Sequence, residues 1–145
     1  MAISVTIQGL DGVIVELGKF GPNLAKRVVL DMSQIAFDSM QSGASRHSKK
    51  GDLFASVYNR AVPGGREVGH DPARAPHAPF VVFGTRPHVI RPKDKKALRW
   101  VSGNGFIFSK FVNHPGYRGD DYLETSASDA IKAMPGIVDR AIKEP

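Results

Sequence analysis

The spacing of apolar and polar positions changes period several times along the chain, and each change marks an element. Ile3-Ser4-Val5-Thr6-Ile7 alternates with a period of two, the pattern of a half-buried strand. Gly9 and Asp11-Gly12 then offer a turn, from which Val13 to Leu17 can return as a hairpin partner or lead toward a helix. From Pro22 the period lengthens. Leu24, Val28, Met32, Ile35, Ala36 and Ser39 recur at three and four residues, while Lys26, Arg27, Asp31 and Asp38 lie off that stripe. This predicts a long helix with Pro22 in its first turn, where the missing N–H is not needed, and Gly43 as its stop. Gln41 to Gly51 has almost nothing to bury and reads as a mobile basic arm, either simply solvated or ordering on a partner. Leu53 to Val62 reads as a short turn of helix leading into a strand.

Further along, Pro63-Gly64-Gly65-Arg66 has the composition of a turn, and Gly69 to Pro79 should run as extended, polyproline-like backbone over the surface. Residues 63–79 are thus expected to form a proline-rich loop. The apolar run Phe80 to Phe83, bracketed by prolines and by Gly84-Thr85, predicts a buried central strand. Pro87 to Pro92 stays extended and Lys93-Asp94-Lys95-Lys96 makes a charged corner. Ala97 to Val101 and Phe106 to Val112 then flank Ser102-Gly103-Asn104-Gly105, a hairpin whose turn residues tolerate positive φ. In its second strand Phe106 and Phe108 point one way, Ile107 and Phe111 the other, so both faces need cover.

Asn113-His114-Pro115-Gly116 closes that strand, and Asp121-Tyr122-Leu123-Glu124 resembles a capping box opening the last helix. Its stripe is Leu123, Ala127, Ala130, Ile131, Met134, Val138, Ala141 and Ile142, with Pro135 expected to kink or interrupt it. The fold class that follows is α+β: a small mixed or antiparallel sheet of about four or five strands with a long N-terminal and a C-terminal helix, in one domain over residues 1–145.

Composition narrows the picture without changing it. A chain of 145 residues can remove roughly two-thirds of its unfolded surface from water without staples. Its 41% hydrophobic and 23% charged residues fit an ordinary globular protein and argue against global disorder. With no cysteine there is no disulfide framework, thiolate metal site or cysteine nucleophile. The start, Met1 to Ile7, lacks a basic region and long apolar core, so the protein is expected in the cytoplasm until it joins a partner. Charge is uneven. Residues 40–118 hold fourteen Lys/Arg and four acids, net +10, and the rest hold six bases and ten acids, net −4. Such a basic middle could meet nucleic acid or acidic faces on neighbouring copies.

Candidate chemistry is sparse. His70-Asp71, His77, His88 and His114 could converge, but none has the three- or four-residue helical spacing of a zinc site. Gly103-Asn104-Gly105 joins two strands and is not a dinucleotide fingerprint. No Gly-x-Ser-x-Gly elbow or phosphate-binding loop occurs, and Asp52, Glu67, Asp71 and Asp94 are too scattered for a magnesium-dependent nuclease. No catalytic residue, metal or cofactor is therefore assigned, and the chain is read as a non-enzyme; a metal-dependent hydrolase built on the histidines stays as a third alternative. Trp100 with Phe106, Phe108 and Phe111, beside Lys95, Lys96, Arg99 and Lys110, could form a base-stacking platform or a core or subunit interface.

Three motifs, taken in order, carry a resemblance. They are Ala75-Pro76-His77-Ala78-Pro79-Phe80-Val81-Val82-Phe83-Gly84-Thr85, then Pro87-His88-Val89-Ile90 with Pro92-Lys93 and Lys96-Ala97-Leu98, then Val112-Asn113-His114-Pro115-Gly116. Over roughly residues 20–125 the chain resembles the neck or tail-completion proteins of long-tailed double-stranded DNA bacteriophages, small head-to-tail joining components also described as minor tail proteins. It departs from that pattern at His77, where the family usually has Tyr, and at Val82, where it usually has Glu. It also has Asp121-Tyr122-Leu123-Glu124 where the family has Pro-Phe-Leu.

The resemblance implies a structural virion protein without catalysis. It would form a ring, expected to be a hexamer, at the head–tail junction, docking the tail to head-closure or connector proteins and to tail-tube or terminator proteins around the passing genomic DNA. No membrane and no small-molecule substrate are implied. On this reading the assembly surface would include Phe80, Val82, Phe83, Arg86 and His88, together with Trp100, Phe106, Phe108, Phe111, His114 and Tyr122. DNA or partner contacts would fall to Arg46, Lys49, Lys50, Arg66, Arg74, Lys95 and Lys96. The alternative is a cytoplasmic nucleic-acid-binding module using the basic middle segment.

Overall fold

The computed structural model describes residues 3–6, 12, 15, 18–47 and 51–143, and it is α+β: two long helices pack against small antiparallel sheets. In chain order the elements are β1 (Ser4–Thr6), α1 (Pro22–Ser45), α2 (Asp52–Ala55), β2 (Val57–Val62), β3 (Gly65–His70) and α3 (Ala78–Phe83), followed by β4 (His88–Ile90), β5 (Leu98–Ser102), β6 (Gly105–Ser109), β7 (Val112–His114) and α4 (Tyr122–Lys143). The expected turn at Gly9 to Gly12 and the return over Val13 to Leu17 fall largely outside the described residues, as do Lys49 and Lys50.

Helix α1 buries Leu24, Val28, Met32, Ala36, Met40 and Ala44, a four-residue repeat that places one line of side chains against the core. It runs past its expected stop. Gly43 lies inside the helix because the Tyr122 ring of α4 sits over it: a Cβ there would be 2.3 Å from the Cβ of Tyr122. The glycine is a packing residue rather than a terminator, and residues 41–45 of the expected basic arm are therefore helical.

Helix α4 begins at Tyr122 as expected, but the carboxylate receiving the Tyr122 N–H (3.1 Å) is Asp120, two residues earlier. The buried line of α4 is Tyr122, Ser126, Ala130, Ile137 and Ala141, displaced by about one residue from the expected stripe; Ile131 and Ile142 face outward. Small residues on that line let α4 approach α1 closely, and Ser39 of α1 donates to Asp129 of α4 at 2.6 Å. The helix continues through Pro135 without interruption.

Among the described residues the strands form three separate sheets, one of the order β1-β3-β2 and the two pairs β4-β7 and β5-β6. β3 is the central strand of the three-stranded sheet, pairing Val68 with both Val5 and Asn59, and it packs on α1. Two expectations are corrected here. Gly65 to His70 is a strand, not part of a proline-rich loop over residues 63–79, because Pro63-Gly64, with Gly64 at φ 80°, closes a two-residue hairpin between β2 and β3. Phe80 to Phe83 is helix, not a central strand. Pro79 occupies its first turn and Gly84 its C-cap at φ 75°, the asymmetry of a helix, and only Ala78 and Val82 of α3 are buried, at four-residue spacing.

Candidate functional site

The hairpin expected around Ser102 to Gly105 forms between β5 and β6. Ser102 pairs with Gly105, and Gly103 at φ 57° supplies the positive φ that a two-residue turn needs at its first position. The register then sorts the side chains. Leu98, Trp100, Ile107 and Ser109 share one face; Arg99, Val101, Phe106 and Phe108 share the other. On the second face Val101, Phe106 and Phe108 are 69%, 56% and 65% exposed, with the Arg99 guanidinium 4.4 Å above the Phe106 ring. Trp100 and Ile107 are also substantially exposed, and among the described elements β5 and β6 pack chiefly on each other. The second expected strand, Phe106 to Val112, is in fact divided: Ser109 turns the chain, Phe111 lies in the turn, exposed, and β7 pairs elsewhere.

Two segments far apart in sequence, Phe83-Gly84-Thr85 with the following β4 and Val112 to Tyr117, meet in one place. β4 pairs with β7, which sets His88 opposite His114, their rings stacked with centroids 5.0 Å apart. Thr85 and Tyr117 exchange backbone hydrogen bonds at 2.8 and 2.9 Å, and Asp120 N–H donates to the Val81 carbonyl at 2.9 Å. The backbones approach so closely that a Cβ on Gly84 would lie 2.2 Å from the Tyr117 carbonyl oxygen. The Phe-Gly-Thr and His-Pro-Gly segments are thus two halves of one backbone junction.

An open cleft of about 500 Å³ lies against this junction. Arg46 and His47 reach it from the C-terminal end of α1, His77, Phe80 and Val81 from α3 and its approach, and Thr85, His88 and Ile90 from the β4 segment. His114 and Tyr117 complete it, so four of the five histidines line one space. His47 Nε2 lies 2.6 Å from Asp120 and Arg46 3.2 Å from the same carboxylate. The hydrogen bond to His47, with further help from Arg46, holds the Asp120 carboxyl below its ordinary range. The Thr85 hydroxyl oxygen is buried and has no hydrogen-bond partner among the described residues, a cost of about 1–3 kcal/mol if left unmade. No group of three or more His, Cys, Asp or Glu placed to hold a metal occurs among the described residues.

His70 is elsewhere, in the core, where it joins three elements. Ser56 Oγ donates to the Leu53 carbonyl at 2.7 Å and so accepts from His70 Nδ1 at 2.8 Å; Tyr122 OH then donates to Nε2 at 2.9 Å. Burial, with His77 adding repulsion, pushes the His70 pKa down to about 4, so the ring is neutral at pH 7. All three residues are closed to solvent, which makes this a structural network. Sequence offered no signal for it, nor for the pairing of His47 with Asp120.

Compared with known proteins, the chain matches no family model, no curated protein and no solved structure. The residues themselves carry the functional argument.

Of the expected assembly residues, Phe80, Phe83, Arg86, His88, Trp100, Phe106, Phe108 and Phe111 are exposed and His114 is half-buried. Tyr122 and Val82 are core residues and are withdrawn from that surface: Tyr122 packs on Gly43 and His70, and Val82 is the inward position of α3. Of the expected DNA or partner contacts, Arg74, Lys95 and Lys96 are exposed, Arg46 is exposed but paired with Asp120, and Arg66 is tied to Asn59 Oδ1 at 2.8 Å. No helix among the described residues is long and apolar enough to cross a membrane.

Proposed function

We propose that the protein is a non-catalytic structural component of the head–tail junction of a long-tailed double-stranded DNA phage, assembling with copies of itself into a ring. The observation that carries this reading is the β5–β6 hairpin, a two-stranded unit with apolar side chains exposed on both faces. An isolated hairpin is marginal in water, and covering one Phe side chain fully is worth about 1.5–3 kcal/mol. Val101, Phe106 and Phe108 therefore favour a neighbour strongly.

A ring uses heterologous contacts, one surface against a different one on the next copy, which suits a hairpin standing apart from the helical body. The phage-like motif order supports the location, and the convergence of those motifs at one backbone junction gives them a shared structural purpose. Connector, tail-tube and terminator proteins are the other partners this role requires, with genomic DNA passing through the centre.

The test is co-assembly. Expressed with portal and tail components of its own phage, the protein should appear as a ring between head and tail by electron microscopy; its absence from purified particles would exclude the role. The nucleic-acid reading draws on Arg99, Lys95, Lys96 and Lys110 beside the exposed aromatics. It requires DNA binding whose affinity falls steeply with salt, readable by fluorescence anisotropy between 50 and 200 mM salt at about tenfold or more per bound cluster. The ring reading requires self-association without DNA.

A further inference from the structure

We infer that the histidine-lined cleft between the end of α1, α3 and the β4–β7 pair is a binding site for a phosphate monoester carrying a flat apolar group. The inference goes beyond the assembly role and does not rest on it. Three features of the cleft point the same way.

First, its polar lining among the described residues is rich in donors and contains no carboxylate. The Asp120 carboxylate beside it is engaged by Arg46, His47 and the Tyr122 N–H, and Arg46 uses only Nη2 for it, leaving other guanidinium donors. Second, the tautomers of the stacked pair are fixed by the backbone. His114 Nδ1 accepts the Gly116 N–H at 3.1 Å, which puts its proton on Nε2 as a donor. His88 Nδ1 donates to the Arg86 carbonyl at 2.8 Å, which leaves Nε2 as an acceptor. Thr85 also lines the cleft, with its hydroxyl buried beneath that lining and without a partner among the described residues.

A phosphate monoester answers this set: its P–O⁻ oxygens accept from Arg46 and His114, and in its monoanion the P–OH donates to His88. A carboxylate can do the first and not the second. Third, the rest of the lining is apolar or aromatic, with Phe80, Val81, Ile90 and Tyr117 offering a surface for a ring. A volume of about 500 Å³ is in the range of small-molecule sites.

The experiment is calorimetric titration of the full-length protein with four probes at low ionic strength: phenyl phosphate, inorganic phosphate, benzoate and phenol. Phenyl phosphate should bind saturably at one site per chain and at least about tenfold more tightly than any of the others. His114→Gln should weaken it about fivefold or more, with unchanged circular dichroism, while Lys95→Ala/Lys96→Ala should leave it unchanged. In the wild-type protein, imidazole NMR signals of His77, His88 and His114 should move on titration, and that of buried His70 should not, a readout independent of how the variants fold. No saturable binding of phenyl phosphate at millimolar concentration would overturn the assignment. So would equal binding of benzoate or phenol, or imidazole signals that stay fixed.

Discussion

His70 shows at the scale of one residue how burial turns a titratable group into a pH-dependent stability element. Both ring nitrogens are occupied, by Ser56 and Tyr122, and the side chain has almost no contact with solvent. Its pKa falls from 6.5 in the unfolded chain to about 4 in the folded one. Above about pH 6.5 neither state is protonated and the network contributes fully; as pH falls toward 4 the unfolded chain takes up a proton that the folded chain refuses. Stability should therefore drop by about 3 kcal/mol across that window, at roughly 1.4 kcal/mol per pH unit. Urea unfolding at pH 7 and pH 4.5 measures it. His70→Gln should be less stable at pH 7 and should lose the slope between pH 6.5 and 4; an unchanged slope would place the acid sensitivity elsewhere. Below that range Asp120, whose folded pKa lies under its ordinary 3.8, adds a separate loss as it is protonated.

Glycine gives a second test at the same scale. Ala is the better helix former by about 1 kcal/mol, so Gly43→Ala would stabilise an isolated α1. In the folded protein its methyl would meet Tyr122 at 2.3 Å, and overpacking of this kind costs about 1–3 kcal/mol. Gly43→Ala is expected to lower the melting temperature. Gly136→Ala, in α4 with nothing within 4 Å of the new methyl, is expected to raise it by the equivalent of about 0.5–1 kcal/mol. A stabilising Gly43→Ala would contradict the close approach of the two helices.

Among the elements, those with a sustained period were legible from sequence and those defined by long-range contact were not. The α1 stripe, the α4 start and the β5–β6 turn follow from spacing and turn residues that act locally. Phe80 to Phe83 did not, because four apolar residues in a row fit a strand and a helix equally; the decision lay in Pro79 and Gly84 acting as N- and C-terminal signals. The end of α1 was misread since Gly43 reads as a stop until Tyr122, 79 positions away, is placed over it. The cleft was legible only in part: His77, His88 and His114, named as able to converge, do line it, whereas His70 lies in the core and the pairing of His47 with Asp120, 73 residues apart, gave no local signal.

The hairpin supplies the element-scale prediction. Because Phe106 and Phe108 are exposed, Phe106→Ser/Phe108→Ser should change the stability of the isolated chain by no more than about 0.5 kcal/mol, the usual range for surface changes. A large loss in thermal unfolding would mean that the rings are packed within the chain.

For the molecule as a whole, the buried core and the most exposed apolar hairpin are different parts of the chain. The two helices and the three-stranded sheet close one core, while the hairpin's apolar faces remain outside it. The segment 91–110 carries six Lys/Arg and one acid, so its approach to another copy should be favoured where acidic side chains such as Asp31 and Asp38 of α1 are exposed, and should weaken with salt. The most direct test is size-exclusion chromatography with multi-angle light scattering on the full-length protein at tens of micromolar, beside Phe106→Ser/Phe108→Ser. The wild type is predicted to elute as an oligomer, or to shift toward one as concentration rises, and the double variant as a monomer of unchanged fold. A wild type that stays strictly monomeric at every concentration would contradict the account.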